Sequence, residues 1–158
     1  MILRIANDND LKEIIDFVSE LRKKNGRILN FLADYKDELE RQRIANPRYL
    51  RTLLFDYNSR VLLIKDDKNI LAVYVLYTPS KISKTTTLEL IHYYGNQVDI
   101  ALSENVLIEQ FQKQYNKIKL TLTEEADELG MQFGFGIKET VKYLSGNDYI
   151  YSLNLEES

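Results

Sequence analysis

The sequence has no cysteine, and this absence excludes several kinds of chemistry. A chain without thiols has no disulfide, no cysteine nucleophile and no cysteine-based metal site, and we predict no bound metal. Because no disulfide calls for an oxidising compartment, a cytoplasmic location is the default prediction.

The chain also lacks a long apolar run and a strong charge of one sign. No run of about 18 apolar residues occurs, which predicts no membrane span. The opening residues, MILRIANDND, lack the charged-then-apolar order of a signal peptide. The net charge is −3 with interspersed signs, so no strong field would attract nucleic acid. We therefore predict neither a membrane nor a nucleic acid as a partner.

What remains is the composition of an ordinary globular protein. The chain has 158 residues, of which 44% are apolar and 28% charged. A chain of this length can bury roughly two-thirds of the surface that it exposes when unfolded. No internal repeat, low-complexity tract or linker interrupts it, so we predict one domain over residues 1–158.

The first third of the chain begins with a short predicted strand at Ile2, Leu3 and Ile5 and then has helical spacing. Asp10 followed by Glu13 is a capping-box pattern, and it predicts a helix from Asp8 to Lys24. A second helix is predicted after Gly26 and up to Asn46, on the spacing of Ile28, Leu29, Leu32, Tyr35 and Leu39. Pro47 can begin a third helix, because the first turn needs no amide hydrogen there.

The rest of the chain alternates between strand and helix patterns. The predicted strands are the hairpin RVLLIK and NILAVYVLYT, then TTTLELIHYY, KIKLTLT and DYIYSLNL. Helices are predicted over 98–115 and in EEADELGMQF. The order β-α-α-β-β-β-α-β-α-β predicts a mixed α/β fold. The piece from Leu88 to Thr123 is expected to be a right-handed crossover between parallel strands.

This order, together with the segment TEEADELGMQFGF, resembles the GNAT family of N-acetyltransferases. Ala126, Leu129, Gly134 and Phe135 match the family pattern Asn-x-x-Ala-x-x-Leu-Tyr-x-x-x-Gly-Phe. The resemblance covers nearly the whole chain and implies a central mixed, mostly antiparallel sheet with helices on both faces. It also implies acyl transfer from acetyl-CoA or another acyl-CoA, the co-substrate, to an amine. Thr123 replaces the asparagine, and Gly130 replaces the tyrosine that is thought to protonate the departing thiolate.

The resemblance also implies a cofactor loop after the strand TTTLELIHYY. The family pattern Gln/Arg-x-x-Gly-x-Gly/Ala has its best register at His92–Gln97, where Gly95 is the central glycine. The implied cofactor-binding residues are Ile91, Tyr93, Tyr94, Gly95, Asn96, Gln97 and Val98. A helix N-terminus can bind a diphosphate through unpaired N–H groups. The alternative is that Gly95 and Asn96 simply form a strand-to-helix turn, and Asp99 would repel a diphosphate.

Two residues of the same strand are candidate general bases. In the resemblance, glutamates on this strand often deprotonate the amine through water, which makes Glu89 the first candidate. His92 is the second, because an imidazole can titrate near neutral pH. Strand alternation predicts Glu89, Ile91 and Tyr93 on one face and His92 on the other. Each candidate also has a structural reading, as a solvated carboxylate or a hydrogen-bonded imidazole.

Several tyrosines could replace the missing proton donor, namely Tyr93, Tyr94, Tyr143, Tyr149 and Tyr151. The predicted enzyme is an N-acyltransferase, most simply an acetyltransferase, with a small-molecule or peptide amine as acceptor. A non-catalytic binding or regulatory module of the same fold remains open, as does an unrelated α/β ligand-binding domain. A homodimer could form through tyrosine-rich strands such as NDYIYSLNL.

Overall fold

The computed structural model describes residues 2–33, 37–78, 87–96, 115–123, 127 and 135–154. Contacts divide the chain into two compact units. The first contains Met1–Pro79 and Leu90–Gln97, and the second contains Ser80–Glu89 and Val98–Ser158. Among the described residues, no helix combines the length and apolar character needed to span a membrane.

The first unit holds all three described α-helices and most of the strands. Its elements are β1 (Ile2–Ile5), a 3-10 turn (Asp8–Asp10), α1 (Leu11–Lys23), β2 (Arg27–Asn30), α2 (Glu38–Ile44), α3 (Pro47–Phe55), β3 (Ser59–Asp66), β4 (Asn69–Tyr77) and the later part of β5 (Thr87–Gly95). The strand order is β1-β3-β4-β5, and β2 also pairs with β5. The predicted third helix at Pro47 and the predicted hairpin, β3 with β4, are confirmed.

The second unit is built on an antiparallel sheet with one parallel pair. Its strands are the beginning of β5, β6 (Lys117–Thr123), β7 (Ile137–Tyr143) and β8 (Gly146–Asn154). The first three residues of β5 run parallel to β6, and β8 pairs antiparallel with both β6 and β7. Parallel pairing across the predicted crossover is therefore confirmed. The helix predicted over 98–115 lies outside the described residues apart from its last residue.

The second predicted helix is wrong over its first part. Ile28 and Leu29 lie in β2, and helix appears only from Glu38 onwards. Residues Ile28, Leu29 and Asn30 are all buried, because β2 pairs with β5 inside the unit. Local helical spacing was overridden by a partner strand more than 60 residues away in sequence, a contact that propensity does not register. The later part of the pattern, α2, has the predicted helical form.

Strand β7 is absent from the predicted order. Its sequence, IKETVKY, carries exposed charged side chains at Lys138, Glu139 and Lys142, so it lacks an apolar alternation. In the strand order of this unit β7 comes last and pairs with β8. Exposed charges are typical of a strand at the edge of a sheet, where they discourage pairing with other chains.

The first helix forms where predicted, but its cap differs. The capping box joins Asn7 and Asp10: the Asn7 side chain accepts from the Asn9 amide, and the Asp10 carboxylate accepts from the Asn7 amide at 2.8 Å. Asp10 also binds Arg4 through two hydrogen bonds of 2.6 and 2.8 Å. The predicted pairing of Asp10 with Glu13 is therefore incorrect, because the carboxylate of Asp10 is engaged by β1 and by the preceding turn.

The end of α1 positions the strand that follows. Asn25 has a φ of 55°, and the Gly26 amide donates to the Leu21 carbonyl at 2.7 Å, which is how a left-handed residue closes a helix. The chain then enters β2 directly. Apolar side chains of α1, among them Ile14, Val18 and Leu21, pack on the sheet with those of α3 and β4 to form the core of this unit.

The second unit has its own alternating core. Ile118, Leu120 and Leu122 of β6 are buried, while the residues between them are more exposed. On β8, Tyr151 is 2% exposed and donates to the Asp127 carboxylate at 2.6 Å. Lys138 of β7 forms an ion pair with the same carboxylate at 2.9 Å. This cluster anchors the β7–β8 hairpin to the segment before it.

Candidate functional site

Strand β5 changes its pairing partner partway along its length. Thr87 to Glu89 pair with β6, and His92 to Gly95 pair with β2. The interval between the two ladders consists of Leu90 and Ile91, which belong to neither ladder. The Phe31 amide donates to the Ile91 carbonyl at 2.9 Å, which extends the contact with β2 by one bond. The candidate site therefore lies on a strand that pairs with β6 near its beginning and with β2 near its end.

His92 is fully buried within the first unit. Its Nε2 is hydrogen bonded to the hydroxyl of Tyr49 on α3, with the two rings edge to face at 5.5 Å. Its Nδ1 makes no hydrogen bond of standard geometry with the described residues, while the backbone of Ile91 interacts with the ring and raises its pKa in part. Burial lowers the pKa of His92 to about 3. The expected titration near neutral pH is therefore incorrect, because the surroundings disfavour the imidazolium form.

A chain of polar contacts leads from Tyr49 back to β2. The Arg43 guanidinium lies 5.0 Å from the centre of the Tyr49 ring and donates to Glu40 at 2.9 and 3.0 Å. Asn30, which is fully buried and pairs with His92 in the ladder, donates to the same Glu40 oxygen at 2.9 Å. Burial raises the pKa of Tyr49, while Arg43 lowers it in part. Tyr49 is therefore a neutral phenol with a cation beside its ring.

Glu89 belongs to the second unit and is partly exposed. In the parallel ladder it is the register partner of Lys119 on β6. It is the last residue of β5 in that ladder, one position before the interval of Leu90 and Ile91. A carboxylate with solvent access can accept a proton through water, and such exposure also fits a simple surface role.

Gly95 is the buried last residue of β5, and no ligand is needed to account for its lack of a side chain. A Cβ atom there would collide with the hydroxyl of Tyr93 and lie 2.8 Å from its Cζ. Tyr93 is fully buried, with its ring 5.1 Å from that of Tyr74. Residues two apart share a strand face, so the Tyr93 ring covers the space beside Gly95.

Asn96 follows β5 and is exposed. Its Oδ1 lies 2.7 Å from the position that a Cβ on Gly26 would occupy, so the start of β2 and the end of β5 approach closely there. Gln97 and Val98, the remaining predicted loop residues, lie outside the described residues, as does Asp99. The cradle for a diphosphate thus remains a prediction, with Asn96 its one described polar side chain.

The five candidate tyrosines have different surroundings. Tyr94 is fully buried and donates to the Ile44 carbonyl at 2.7 Å, and burial raises its pKa well above the usual value. Tyr143 is 58% exposed, Tyr149 lies with its ring 4.3 Å from the Lys138 ammonium, and Tyr151 bonds Asp127. Sequence reasoning missed Tyr49, because nothing local to α3 signals a partner 43 residues away.

The helix motif lies mostly outside the described residues. Ala126, Leu129 and Gly134 are not described, whereas Phe135 is 4% exposed and so buried as a core residue would be. Within the part of the chain that the structure describes, no group of three or more histidine, aspartate or glutamate side chains is arranged to hold a metal ion.

Comparison with known proteins supports the fold through structure alone. No family model matches the sequence, and no curated protein matches it. A probable acetyltransferase from Staphylococcus epidermidis ATCC 12228 is similar over 97% of this chain and 98% of its own, with a TM-score of 0.66 and 15% identity.

Two further solved structures are similar to this chain, one of a complex with coenzyme A and one of a GNAT-family protein. An aminoglycoside 6'-N-acetyltransferase complexed with coenzyme A aligns over 100% of this chain and 99% of its own, with a TM-score of 0.61 and 11% identity. An acetyltransferase of the GNAT family from Streptococcus pneumoniae aligns over 97% and 98%, with a TM-score of 0.54 and 15% identity. The shared feature is the fold across nearly the whole chain.

Proposed function

This chain has the fold of the GNAT acetyltransferases, and from that premise we propose that it is an acyl-CoA-dependent N-acyltransferase. The acyl group passes from the CoA thioester to an amine, with acetyl-CoA as the first candidate donor. One solved structure of the same fold is an aminoglycoside acetyltransferase with coenzyme A bound, which supports an amine as the acceptor class. The cytoplasmic location and a homodimer remain predictions. The route predicted for the dimer, through the strand NDYIYSLNL, is wrong, because β8 pairs with β6 on one edge and with β7 on the other.

The observation that carries the proposal is the interval between the two ladders of β5. Leu90 and Ile91 pair with neither β6 nor β2, while β4 is a further hydrogen-bonded neighbour of β5. Because the amides of successive strand residues point to opposite edges, one of these two amides is a candidate to polarise a thioester carbonyl. Ile91 and Tyr94 both belong to the core cluster of the first unit, although strict alternation would separate them. A bulge breaks alternation in this way and is common beside active sites. Such preorganised amides supply several kcal/mol of transition-state stabilisation in enzymes.

Glu89 is the proposed general base. Its partial exposure gives it access to water, and it directly precedes the interval of Leu90 and Ile91. His92 is the weaker candidate, because a pKa of about 3 makes the imidazole a poor proton acceptor at neutral pH. A Glu89→Gln variant should bind acetyl-CoA like the wild type but transfer the acyl group about 10²-fold more slowly. Equal rates for the two proteins would remove Glu89 from the proposal.

The second candidate function, a non-catalytic binding or regulatory module, is favoured by two observations. β2 pairs with β5 from His92 to Gly95, along the stretch where the thioester would extend. The missing side chain of Gly95 is explained by Tyr93 and so gives no support to a phosphate cradle. A module that had lost the cofactor site would keep this fold and bind no acyl-CoA.

Calorimetric titration with acetyl-CoA separates the two functions. The most informative variant is Asn96→Asp, which adds a negative charge at the predicted diphosphate loop without adding volume. Gly95→Asp is unsuitable, because its Cβ would meet the Tyr93 hydroxyl and disturb the fold. The matched control is Asn9→Asp, which adds the same charge at another exposed asparagine, in the 3-10 turn before α1.

If the protein is an acyltransferase, acetyl-CoA should bind to the wild type and to Asn9→Asp with similar Kd values. For Asn96→Asp the Kd should rise about fivefold or more at low salt, and less in high salt, because exposed charges are screened. Absence of binding to acetyl-CoA, CoA and longer acyl-CoAs would refute the enzyme and leave the non-catalytic module. Binding that is equally tight in all three proteins would place the diphosphate away from Asn96.

A further inference from the structure

We propose that a cavity at the end of α3 binds a small zwitterion with an apolar side chain, which is the chemistry of a free apolar amino acid. The cavity belongs to the first unit and has a volume of about 380 Å³. It lies where the end of β1, the last turn of α3 and the beginning of β3 meet. Because no residue of β5 lines it, the inference goes beyond the proposed acyl transfer and does not rest on it.

The size of the cavity limits the ligand. Sites for small molecules in proteins have volumes of roughly 300–1,000 Å³, so this cavity is near the lower end of the range. That volume matches a molecule of amino-acid size and is small for a nucleotide.

Apolar side chains line both the buried part and the mouth of the cavity. Leu53 and Val61 are buried and belong to the core cluster of the first unit. Ile5, Phe55 and Tyr57 line the same cavity although they are 39%, 56% and 69% exposed. Large apolar side chains exposed around a concave surface are typical of a binding site, because a ligand removes them from water. The ligand therefore needs an apolar group.

Ser59 also lines the cavity, and its hydroxyl lacks a hydrogen-bond partner. The residue is 7% exposed, and no described residue bonds its hydroxyl oxygen. Ser59 and Val61 are two residues apart on β3, so they share the strand face that packs on α3. An unpaired buried hydroxyl is costly. Rotation about its Cα–Cβ bond can turn this hydroxyl towards a polar group of a bound ligand, which would supply the partner.

Asp56 and Arg60 bring opposite charges to the cavity. Both are half-buried, and within the described part of the chain neither has an ion-pair partner. One Asp56 oxygen accepts from the Asn58 amide at 2.9 Å, and the other has no partner among those residues. One nitrogen of Arg60 donates to the Tyr57 and Ser59 carbonyls, both at 3.0 Å. The remaining N–H groups of this guanidinium make no bond to a described residue.

These two unmatched charges favour a zwitterion over a simple acid or amine. The remaining N–H groups of Arg60 can donate to a carboxylate through two hydrogen bonds, and the Asp56 carboxylate can accept from an ammonium. A ligand with a carboxylate alone would be repelled by Asp56, and a ligand with an ammonium alone would be repelled by Arg60. A free amino acid with an apolar side chain carries both charged groups and the apolar group that the lining calls for.

The first experiment is calorimetric titration of the wild type with four probes, in the absence of acyl-CoA. Free leucine carries all three features, leucinamide lacks the carboxylate, 4-methylpentanoate lacks the ammonium, and glycine lacks the apolar side chain. Leucine should bind with a Kd at least about tenfold below that of each other probe. A Kd for leucinamide or 4-methylpentanoate equal to that for leucine would overturn the zwitterion. Absence of binding by leucine, valine, methionine and phenylalanine at millimolar concentrations would overturn the site.

The second experiment uses two charge-neutralising variants to locate the bound amino acid. Arg60→Gln should raise the Kd for leucine about tenfold and leave that for leucinamide unchanged, because the amide has no carboxylate to lose. Asp56→Asn keeps an oxygen that can accept from the Asn58 amide, and it should raise the Kd for leucine but not that for 4-methylpentanoate. The matched controls are Arg48→Gln on α3 and Asp66→Asn on β3, since both residues are exposed and neither lines the cavity.

The results separate this cavity from any other place where an amino acid could bind. A higher Kd for leucine in both cavity variants, and in neither control, would support the proposal. Equally tight binding in the wild type and in all of the variants would place leucine elsewhere and overturn it. If a cavity variant unfolds at a lower urea concentration than the wild type, the comparison of the four probes on the wild type decides. No titration contains acyl-CoA, so each result stands apart from the success or failure of the proposed acyl transfer.

Discussion

Burial of His92 should make the stability of the protein depend on pH in a window set by a single side chain. The pKa falls from 6.5 in the unfolded chain to about 3 in the folded protein. Between these two pH values the imidazole is protonated in the unfolded state and neutral in the folded state. The free energy of unfolding therefore falls as the pH is lowered. At about pH 4.5 the difference spans two pH units, which at about 1.36 kcal/mol each is roughly 2.7 kcal/mol.

Urea denaturation at about pH 7.5 and about pH 4.5 measures this loss, and His92→Gln supplies the reference. The variant keeps every other titrating group and retains a polar side chain opposite Tyr49. The wild type should lose about 2 to 3 kcal/mol more than His92→Gln between the two pH values. That loss is a large fraction of the roughly 5–15 kcal/mol that stabilises a typical domain.

Two results would refute the reasoning. Parallel loss of stability in the wild type and in His92→Gln would mean that the imidazole does not resist protonation. An imidazole proton signal that titrates in the folded protein between about pH 6 and 7 would mean that His92 is hydrated rather than buried.

Three further substitutions test the packing and the ion pairs. Gly95→Ala should lower the free energy of unfolding in urea by about 1–3 kcal/mol, and Tyr93→Phe in that background should restore part of it; an unchanged midpoint in the single variant would contradict the predicted collision. Asp10→Asn should destabilise by about 1–3 kcal/mol at neutral pH. Because its ion pair lowers the pKa of Asp10, the gap to the wild type should close as the pH falls below about 4, and a gap that persists in strong acid would argue against the ion pair. Tyr151→Phe removes the bond to Asp127 and should cost about 1 kcal/mol, whereas no cost would indicate an exposed hydroxyl.

Elements with strong local patterns could be predicted from the sequence. The apolar, β-branched runs became β3, β4 and β5, and Pro47 begins α3 as expected. β2 could not be predicted, since Ile28 and Leu29 also satisfy helical spacing and only the pairing with β5 makes them a strand. β7 could not be predicted because its polar sequence lacks the apolar alternation that indicates a strand. A strand at the edge of a sheet needs little apolar surface.

The candidate site was predictable in its location and not in its contacts. The strand ending at Gly95 was identified, together with Glu89 and His92, from residue type and resemblance. The depressed pKa of His92 could not be foreseen, because it depends on enclosure by α3 and β2. The role of Gly95 had a local signal that was overlooked: Tyr93, two residues earlier, lies on the same strand face and reaches over it.

The two proposed functions differ in whether a bound thioester can leave β2 paired with β5. Asn30 pairs with His92 in the ladder and also donates to Glu40, which holds Arg43 beside Tyr49. A ligand that displaced β2 from β5 would therefore break the contacts that hold Arg43 beside Tyr49. A thioester whose carbonyl contacts only Leu90 and Ile91 would leave β2 in place and the network intact. The proposed acyl transfer would therefore need the thioester carbonyl to bind at Leu90 or Ile91 without displacing β2, and a chain that cannot bind it in this way would be the non-catalytic module.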